Sequence, residues 1–154
     1  MPVEGSIYAC TRDAIAKRFA AHFEGPRSAL FLVVAEKNIE KAAREALDKS
    51  ARALGWDEGA SFVWVQNGEG GRLSQAELFE VIEGLDPLCV VLVGKDAREL
   101  ATASFQCDIP TLGHFRLFGR EACAFDNFES LLASETGKQT AWALLRALPK
   151  APTQ

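Results

Sequence analysis

Three mostly apolar runs alternate with amphipathic segments along this chain. The runs cover residues 29–35, 60–66 and 88–93, and each is rich in Val, Leu or aromatic side chains. Continuous apolar runs of this length are typical of strands that are buried on both faces of a parallel sheet. The segments between them repeat apolar residues at helical spacing. The pattern therefore predicts an α/β fold of three layers, α/β/α, around a central, mostly parallel sheet of about four strands.

Capping residues mark the starts of the predicted helices. Thr11 predicts the start of a first helix, whose apolar residues Ile15, Phe19 and Phe23 recur every four positions. Asn38 is the predicted cap of the second helix. The segment Ser74-Gln75-Ala76-Glu77 has the pattern of a capping box and predicts the start of the third. A short helix is expected over residues 95–105.

Two extended segments precede the last predicted helix. Residues 113–118 and 122–125 flank Gly119-Arg120-Glu121, which predicts a hairpin or an extended pair of strands. A polar turn and a helix that ends before Pro149 follow. Because no internal repeat or linker interrupts the pattern, we interpret residues 1–149 as one domain. The tail, residues 150–154, is predicted to be disordered.

Composition fits an ordinary soluble domain. The chain has 154 residues, of which 48% are hydrophobic and 25% charged. No apolar run approaches the ~20 residues that span a bilayer, so we expect no membrane segment. The first residues lack the basic and apolar stretches of a signal peptide. We therefore expect a cytoplasmic location.

The charge balance bears on partners. The net charge is −4 and the calculated isoelectric point is about 5.3. Proteins that bind nucleic acid usually carry an excess of Lys and Arg, because contacts to phosphate dominate their affinity. The balance does not favour constitutive DNA binding, although it leaves room for a local basic patch.

The cysteines offer no metal-binding spacing. Cys10, Cys89, Cys107 and Cys123 are far apart in sequence and form no Cys-x-x-Cys pair. The chain has only two histidines, His22 and His114. We therefore expect no metal site.

Several segments, taken in order, resemble a known superfamily. Cys10-Thr11-Arg12-Asp13 is similar to a Cys-Thr-Arg-Cys motif, and residues 34–38 lie where a Gly-Glu-Ala-Pro-Gly motif would fall. Near the end, residues 125–132 lead through a polar turn into a helix that carries Ala141-Trp142. In this order they resemble the uracil-DNA glycosylase superfamily, and most closely its iron–sulfur type. The resemblance covers most of the chain and implies the fold of that family.

The departures from the family pattern concern its cluster and its chemistry. The family's cluster needs four cysteine ligands, but Asp13 replaces the second and Ser74 falls near the fourth, so we expect no iron–sulfur cluster and no cofactor. Asn127 stands where the family has a His, although some mismatch-specific relatives have Asn-Pro-Ser there. Val65 stands where the family has the Asn that reads uracil, and Asn67 is two residues further along the chain. The family's acidic residue matches Ala35, or Glu36 with a slip of one residue.

Two residues are candidates for catalysis. Glu36 follows the first strand, at the sheet edge where ligands bind in open parallel sheets, and can position a water molecule there. Its alternative interpretation is a solvated residue at the start of a helix. Asn127 can donate a hydrogen bond to a base carbonyl, or it can be a simple turn residue.

The predicted binding pocket consists of Glu36, Asn38, Asn67 and Asn127. For Asn38 the alternative is a helix cap, and for Asn67, which precedes Gly68, the alternative is turn chemistry.

Three functional hypotheses remain open. The first is a glycosylase-like protein without base excision that serves as a small-molecule binding or interaction module. The second is a divergent DNA glycosylase that removes uracil or a related base. The third is an unrelated nucleotide-binding domain that shares only the parallel sheet. The expected ligand is a small molecule or nucleobase, and the sequence identifies no protein partner.

Overall fold

The computed structural model describes residues 4–36, 39–66 and 71–152, and their side chains from residue 11 onward. Helices and strands alternate along most of this part of the chain. The helices are α1 (Glu4–Arg18), α2 (Lys41–Ala53), α3 (Gln75–Leu85), α4 (Lys95–Phe105), α5 (Phe128–Leu131) and α6 (Glu135–Leu145). The strands are β1 (Phe23–Glu24), β2 (Phe31–Ala35), β3 (Ser61–Trp64), β4 (Cys89–Val93), β5 (Leu112–Leu117) and β6 (Arg120–Phe125).

The strands form one sheet in the order β1-β3-β2-β4-β6-β5. The four inner strands are parallel, and their register places Phe62, Val33, Val91 and Cys123 in one row across the sheet. The two outer strands, β1 and β5, are antiparallel to their neighbours. The prediction of an α/β fold with a mostly parallel sheet is confirmed. The predicted number of about four strands was wrong, because the sheet has six: β1 was not predicted, and the hairpin strand β5 adds to the sheet at its other edge.

Helices cover both faces of the sheet. One face packs against α1, α3 and α4 around a core that includes Leu32, Val90 and Ile82. The opposite face packs against α2, α5 and α6 around Phe31 and Phe125. No helix in the described part of the chain is long and apolar enough to cross a membrane.

Two helix starts differ from the prediction. The first helix begins at Glu4, so Thr11 lies inside it instead of capping it, and Phe23 belongs to β1. The second begins at Lys41 after Glu40, whereas Asn38 lies outside the described residues. A residue that can cap does not by itself start a helix, because most of the stability of a helix comes from tertiary packing.

The capping box and the hairpin are confirmed. Ser74 accepts a hydrogen bond from the Glu77 amide at 3.1 Å, and the Glu77 carboxylate accepts one from the Ser74 amide at 2.9 Å. The hairpin joins β5 and β6 through Phe118 and Gly119, both with positive φ. A two-residue turn of that kind matches the twist of the strands that it joins.

The strand order reverses between β2 and β4. The chain leaves β2 through α2 and returns on one side as β3, whereas it leaves β4 through α4 and returns on the other side as β5 and β6. The loops at the carboxyl ends of β2 and β4 therefore diverge, and a crevice opens between them. In open α/β sheets, ligands bind in a crevice of this kind.

Candidate functional site

A cleft of about 350 Å³ lies at the carboxyl ends of β2, β4 and β6. Its walls are Glu36 and Ile39 after β2, residues 93–96 at the end of β4, and residues 126–130 after β6. This volume is within the range of about 300–1,000 Å³ that is usual for small-molecule sites. We call it the switch-point cleft, because it lies where the strand order reverses.

Both predicted catalytic candidates line the switch-point cleft. Glu36 is half-buried and Asn127 is exposed. Asn127 precedes α5, but its side chain makes no capping hydrogen bond to that helix. The side-chain amide of Asn127 can therefore form hydrogen bonds to a ligand. The other two predicted pocket residues, Asn38 and Asn67, lie outside the described residues.

A close turn at Gly94 forms the wall between Glu36 and Asn127. Gly94 has φ of +100° and joins β4 directly to α4. Its amide donates to the Phe125 carbonyl at 2.8 Å, and its carbonyl accepts from the Arg98 amide at 3.1 Å. The space where a side chain would stand is open. A ligand can therefore approach the backbone here, as glycine allows.

Two carboxylates of the cleft are engaged in structural contacts. Asp126 forms an ion pair with Arg98 at 2.7 Å, with both side chains less than one-fifth exposed. The hydrogen bond to Asp126 raises the pKa of Arg98, so the guanidinium stays charged. The Glu129 carboxylate accepts a hydrogen bond from the Glu40 amide at 2.6 Å. That bond ties α5 to the loop between β2 and α2.

Glu36 and Asp96 form a pair of neighbouring carboxyl groups. The hydrogen bond to Asp96 is the largest cause of a raised pKa at Glu36, and partial burial and the charge of Asp96 add to it. Arg72 opposes the shift, and its guanidinium lies 4.0 Å from the Asp96 carboxylate. A hydrogen bond to a neighbouring carboxyl group favours the protonated form of Glu36, and partial burial and the negative charge of Asp96 act in the same direction.

Three residues at the cleft were not predicted as site residues from the sequence: Asp96, Gly94 and Arg72. One signal was present for Asp96, because it lies in the first turn of a helix that follows a buried strand and a glycine. A side chain at that position points to the ligand edge of a parallel sheet. No local signal identifies Arg72, since it reaches Asp96 only through the folding of distant segments.

No protein-family model matches this chain, and no curated protein matches it. The resemblance to the uracil-DNA glycosylases therefore rests on the motifs quoted above and stays a prediction.

Negative charge dominates the described walls of the cleft. They contain four carboxylates, Glu36, Asp96, Asp126 and Glu129, against the single ammonium group of Lys95. Phosphate groups are repelled by such a lining, because each contact would place like charges together. The site is better suited to neutral or cationic polar groups.

No cysteine is among the described wall residues of the cleft, and two of the described cysteines are also unreactive. Cys89 and Cys123 are fully buried in the core, and burial raises the pKa of Cys89 to about 12. Burial likewise raises the pKa of Cys123. Thiols of this kind are not nucleophiles at neutral pH. Within the described ranges, no group of three or more His, Cys, Asp or Glu side chains is arranged to hold a metal ion.

Replacing Glu36 with glutamine is expected to stabilise the protein at neutral pH. The folded state raises the pKa of Glu36, so it binds more protons than the unfolded state, and stability falls as pH rises through the raised pKa. Glutamine does not titrate, so the variant does not lose this stability. We expect its free energy of unfolding at neutral pH to exceed that of the wild type by less than about 1 kcal/mol, since the pair is partly exposed. Urea unfolding at neutral pH and below the ordinary carboxyl range measures it.

The gain should vanish at the lower pH, where Glu36 is protonated in both states. Glu99→Gln is the matched control, because Glu99 is an exposed carboxylate on α4 outside the cleft. A Glu36→Gln variant that is less stable than the wild type at neutral pH would contradict a raised pKa of Glu36 in the folded state.

Proposed function

We propose that this protein is a uracil-DNA glycosylase-like domain that binds a compact, hydrogen-bonding small molecule in the switch-point cleft and does not excise bases from DNA. The ligand has the size of a nucleobase or nucleoside. The observation that carries the proposal is a cleft with four carboxylates and one lysine among its described walls, at the ligand edge of a parallel sheet.

Size and polarity support a small ligand. A volume of about 350 Å³ accommodates a ring with a few substituents. Asn127 supplies a donor and an acceptor, Glu36 supplies a carboxyl group, and the open backbone at Gly94 permits close approach. A few polar groups that converge on one cavity are what orient a small molecule.

The charge of the cleft argues against a DNA substrate. A protein that extrudes a base must also hold the flanking phosphates, which requires cationic side chains beside the pocket. Lys95 is the only cation among the described wall residues. Beside the walls, the guanidinium groups of Arg98 and Arg72 already face the carboxylates of Asp126 and Asp96. The alternative, a divergent glycosylase, has support from one observation, that Glu36 and Asn127 line the same cavity. In that case Glu36 would position water and Asn127 would contact the base carbonyl.

Binding to the cleft can be tested with a panel of uracil, cytosine and uridine observed by NMR. We expect a panel member to shift the backbone amides of Gly94, Asp96 and Asn127. Asn127→Ala should weaken that binding by about five- to tenfold, which corresponds to the loss of one hydrogen bond. Gln139→Ala, which removes an exposed amide on α6 away from the cleft, should leave the affinity unchanged.

An excision assay separates the two functions. Single-stranded and mismatched oligonucleotides that contain uracil or a related base should release no base when incubated with the folded protein. Release that disappears in the Glu36→Ala/Asn127→Ala double variant would overturn the proposal and establish the glycosylase. Absence of any shift in the cleft across the panel would count against the ligand class.

A further inference from the structure

One side chain joins the loops that carry Glu36 and Asn127. The carboxylate of Glu129, two residues after Asn127, accepts a hydrogen bond of 2.6 Å from the backbone amide of Glu40, which lies in the loop after β2. Glu129 and Glu40 are 89 positions apart along the chain, so only the fold brings them together. We call this hydrogen bond the Glu129 latch. It ties the wall of the switch-point cleft that follows β6 to the loop that follows β2.

On the β2 side, the latch holds an amide at the start of α2. Glu40 is the residue before α2, and its own side chain makes no capping hydrogen bond. Amides at the start of a helix have no partner within the helix, so the Glu129 carboxylate supplies one from another element. The Ile39 amide donates to the Glu36 carbonyl at 3.3 Å, which closes a turn between these two residues. Holding Glu40 therefore also restricts the position of Glu36.

On the β6 side, the residues around Asn127 are all anchored. The Asp126 carboxylate pairs with Arg98 at 2.7 Å, on one side of Asn127 in the chain. On the other side, the ring of Phe128 is buried in the core, and Glu129 forms the latch. The side chain of Asn127 makes no capping hydrogen bond. Its neighbours therefore fix the backbone of Asn127, while its side-chain amide remains available to a ligand.

We propose that Glu129 is a positioning residue of the switch-point cleft, and that the latch holds Glu36 and Asn127 at the separation at which both contact one ligand. This inference rests on the proposed function, because it names a residue on which ligand affinity in the same cleft depends. Glu36 and Asn127 recognise the ligand, whereas Glu129 acts through the Glu40 amide. Groups that are held in place before a ligand arrives lose less conformational freedom on binding, so releasing them lowers the affinity.

Two substitutions test the latch without any ligand. Glu129→Gln keeps a side-chain oxygen that can accept from the Glu40 amide, whereas Glu129→Ala removes the acceptor. Hydrogen exchange at the Glu40 amide should be about tenfold faster in Glu129→Ala, which matches the loss of one hydrogen bond, and close to wild type in Glu129→Gln. The backbone amide signals of Glu36 and Asn127 should shift in Glu129→Ala only. Unchanged exchange at Glu40 in Glu129→Ala would overturn the inference.

Ligand binding is measured with the panel of uracil, cytosine and uridine. Glu129→Ala should weaken binding by about five- to tenfold, and Glu129→Gln by no more than about twofold. Glu99→Ala removes an exposed carboxylate outside the cleft and should leave the affinity unchanged. Urea unfolding shows that each variant is folded under the conditions of the binding measurement. Equal weakening in Glu129→Gln and Glu129→Ala would show that Glu129 binds the ligand through its own charge, and would overturn the positioning role.

Two outcomes distinguish a failure of the positioning role from a failure of the proposed function. If Glu129→Ala releases the Glu40 amide but binds the panel as tightly as the wild type, the positioning role is refuted and the small-molecule function stands. If the wild type binds no member of the panel, the proposed function is refuted, and the positioning role is refuted with it.

Discussion

Replacing Gly137 with alanine is expected to destabilise the protein by about 3 kcal/mol or more, a size typical of severe steric changes in a packed interior. Gly137 lies in the first turn of α6, where a Cβ atom would stand 2.1 Å from the Leu131 carbonyl oxygen and 2.8 Å from its carbonyl carbon. These are backbone atoms of α5, so no side-chain rotation relieves the clash. The two helices must separate, which withdraws the buried ring of Phe128 from the core.

The sign of the effect makes this prediction discriminating. Alanine is favoured over glycine within a helix by about 1 kcal/mol, so without the clash the same change would stabilise α6. Thr136→Ala, at the exposed neighbouring position, is the matched control and should change the free energy of unfolding by less than about 0.5 kcal/mol. Chemical denaturation measures both. A Gly137→Ala variant as stable as the wild type would contradict the close approach of α5 and α6.

The interior of the fold could be predicted from sequence because its signals are local. The apolar runs around Val33, Val63 and Val91 became three of the four parallel strands, since only strands buried on both faces tolerate such composition. The edge strand β1 gave no comparable signal. It has two residues, and Phe23 matched the helical spacing of the preceding segment equally well. Pairing with β3, a contact between distant residues, decided its conformation.

Glu36 was predicted as a site residue because it follows an apolar strand, and Asn127 because it stands where the resembled family has a His. The structure places both residues in one cleft, because the carboxyl ends of parallel strands meet at one edge of the sheet. Asp96 has the same kind of position after β4, yet its contact with Glu36 depends on β2 and β4 being adjacent. Sequence does not give the order of strands within a sheet, so it could not give this pair.

Replacing Arg98 with methionine is expected to cost about 2 kcal/mol of stability, between the values for exposed and for fully buried ion pairs, because both partners are partly buried. Arg98 Nε lies 2.7 Å from the Asp126 carboxylate, and the two side chains are only 17% and 16% exposed. Methionine retains much of the apolar stem, so the loss reports on the charge that Asp126 keeps without a partner. Asp126 also lines the switch-point cleft beside Asn127, so the unpaired carboxylate should disturb the ligand site as well.

A double variant separates the ion pair from the packing of the same side chains. Asp126→Asn removes the stranded charge, so Arg98→Met/Asp126→Asn should recover a large part of the stability that Arg98→Met loses. Arg116→Met is the matched control, because Arg116 also pairs with a carboxylate, that of Glu121, but is 67% exposed. Its loss should stay below about 1 kcal/mol, as for surface pairs in general. Equal losses for Arg98→Met and Arg116→Met in urea unfolding would show that burial does not strengthen the pair with Asp126. If Arg98→Met binds the panel of uracil, cytosine and uridine with the same affinity as the wild type, this ion pair stabilises the fold but does not shape the cleft.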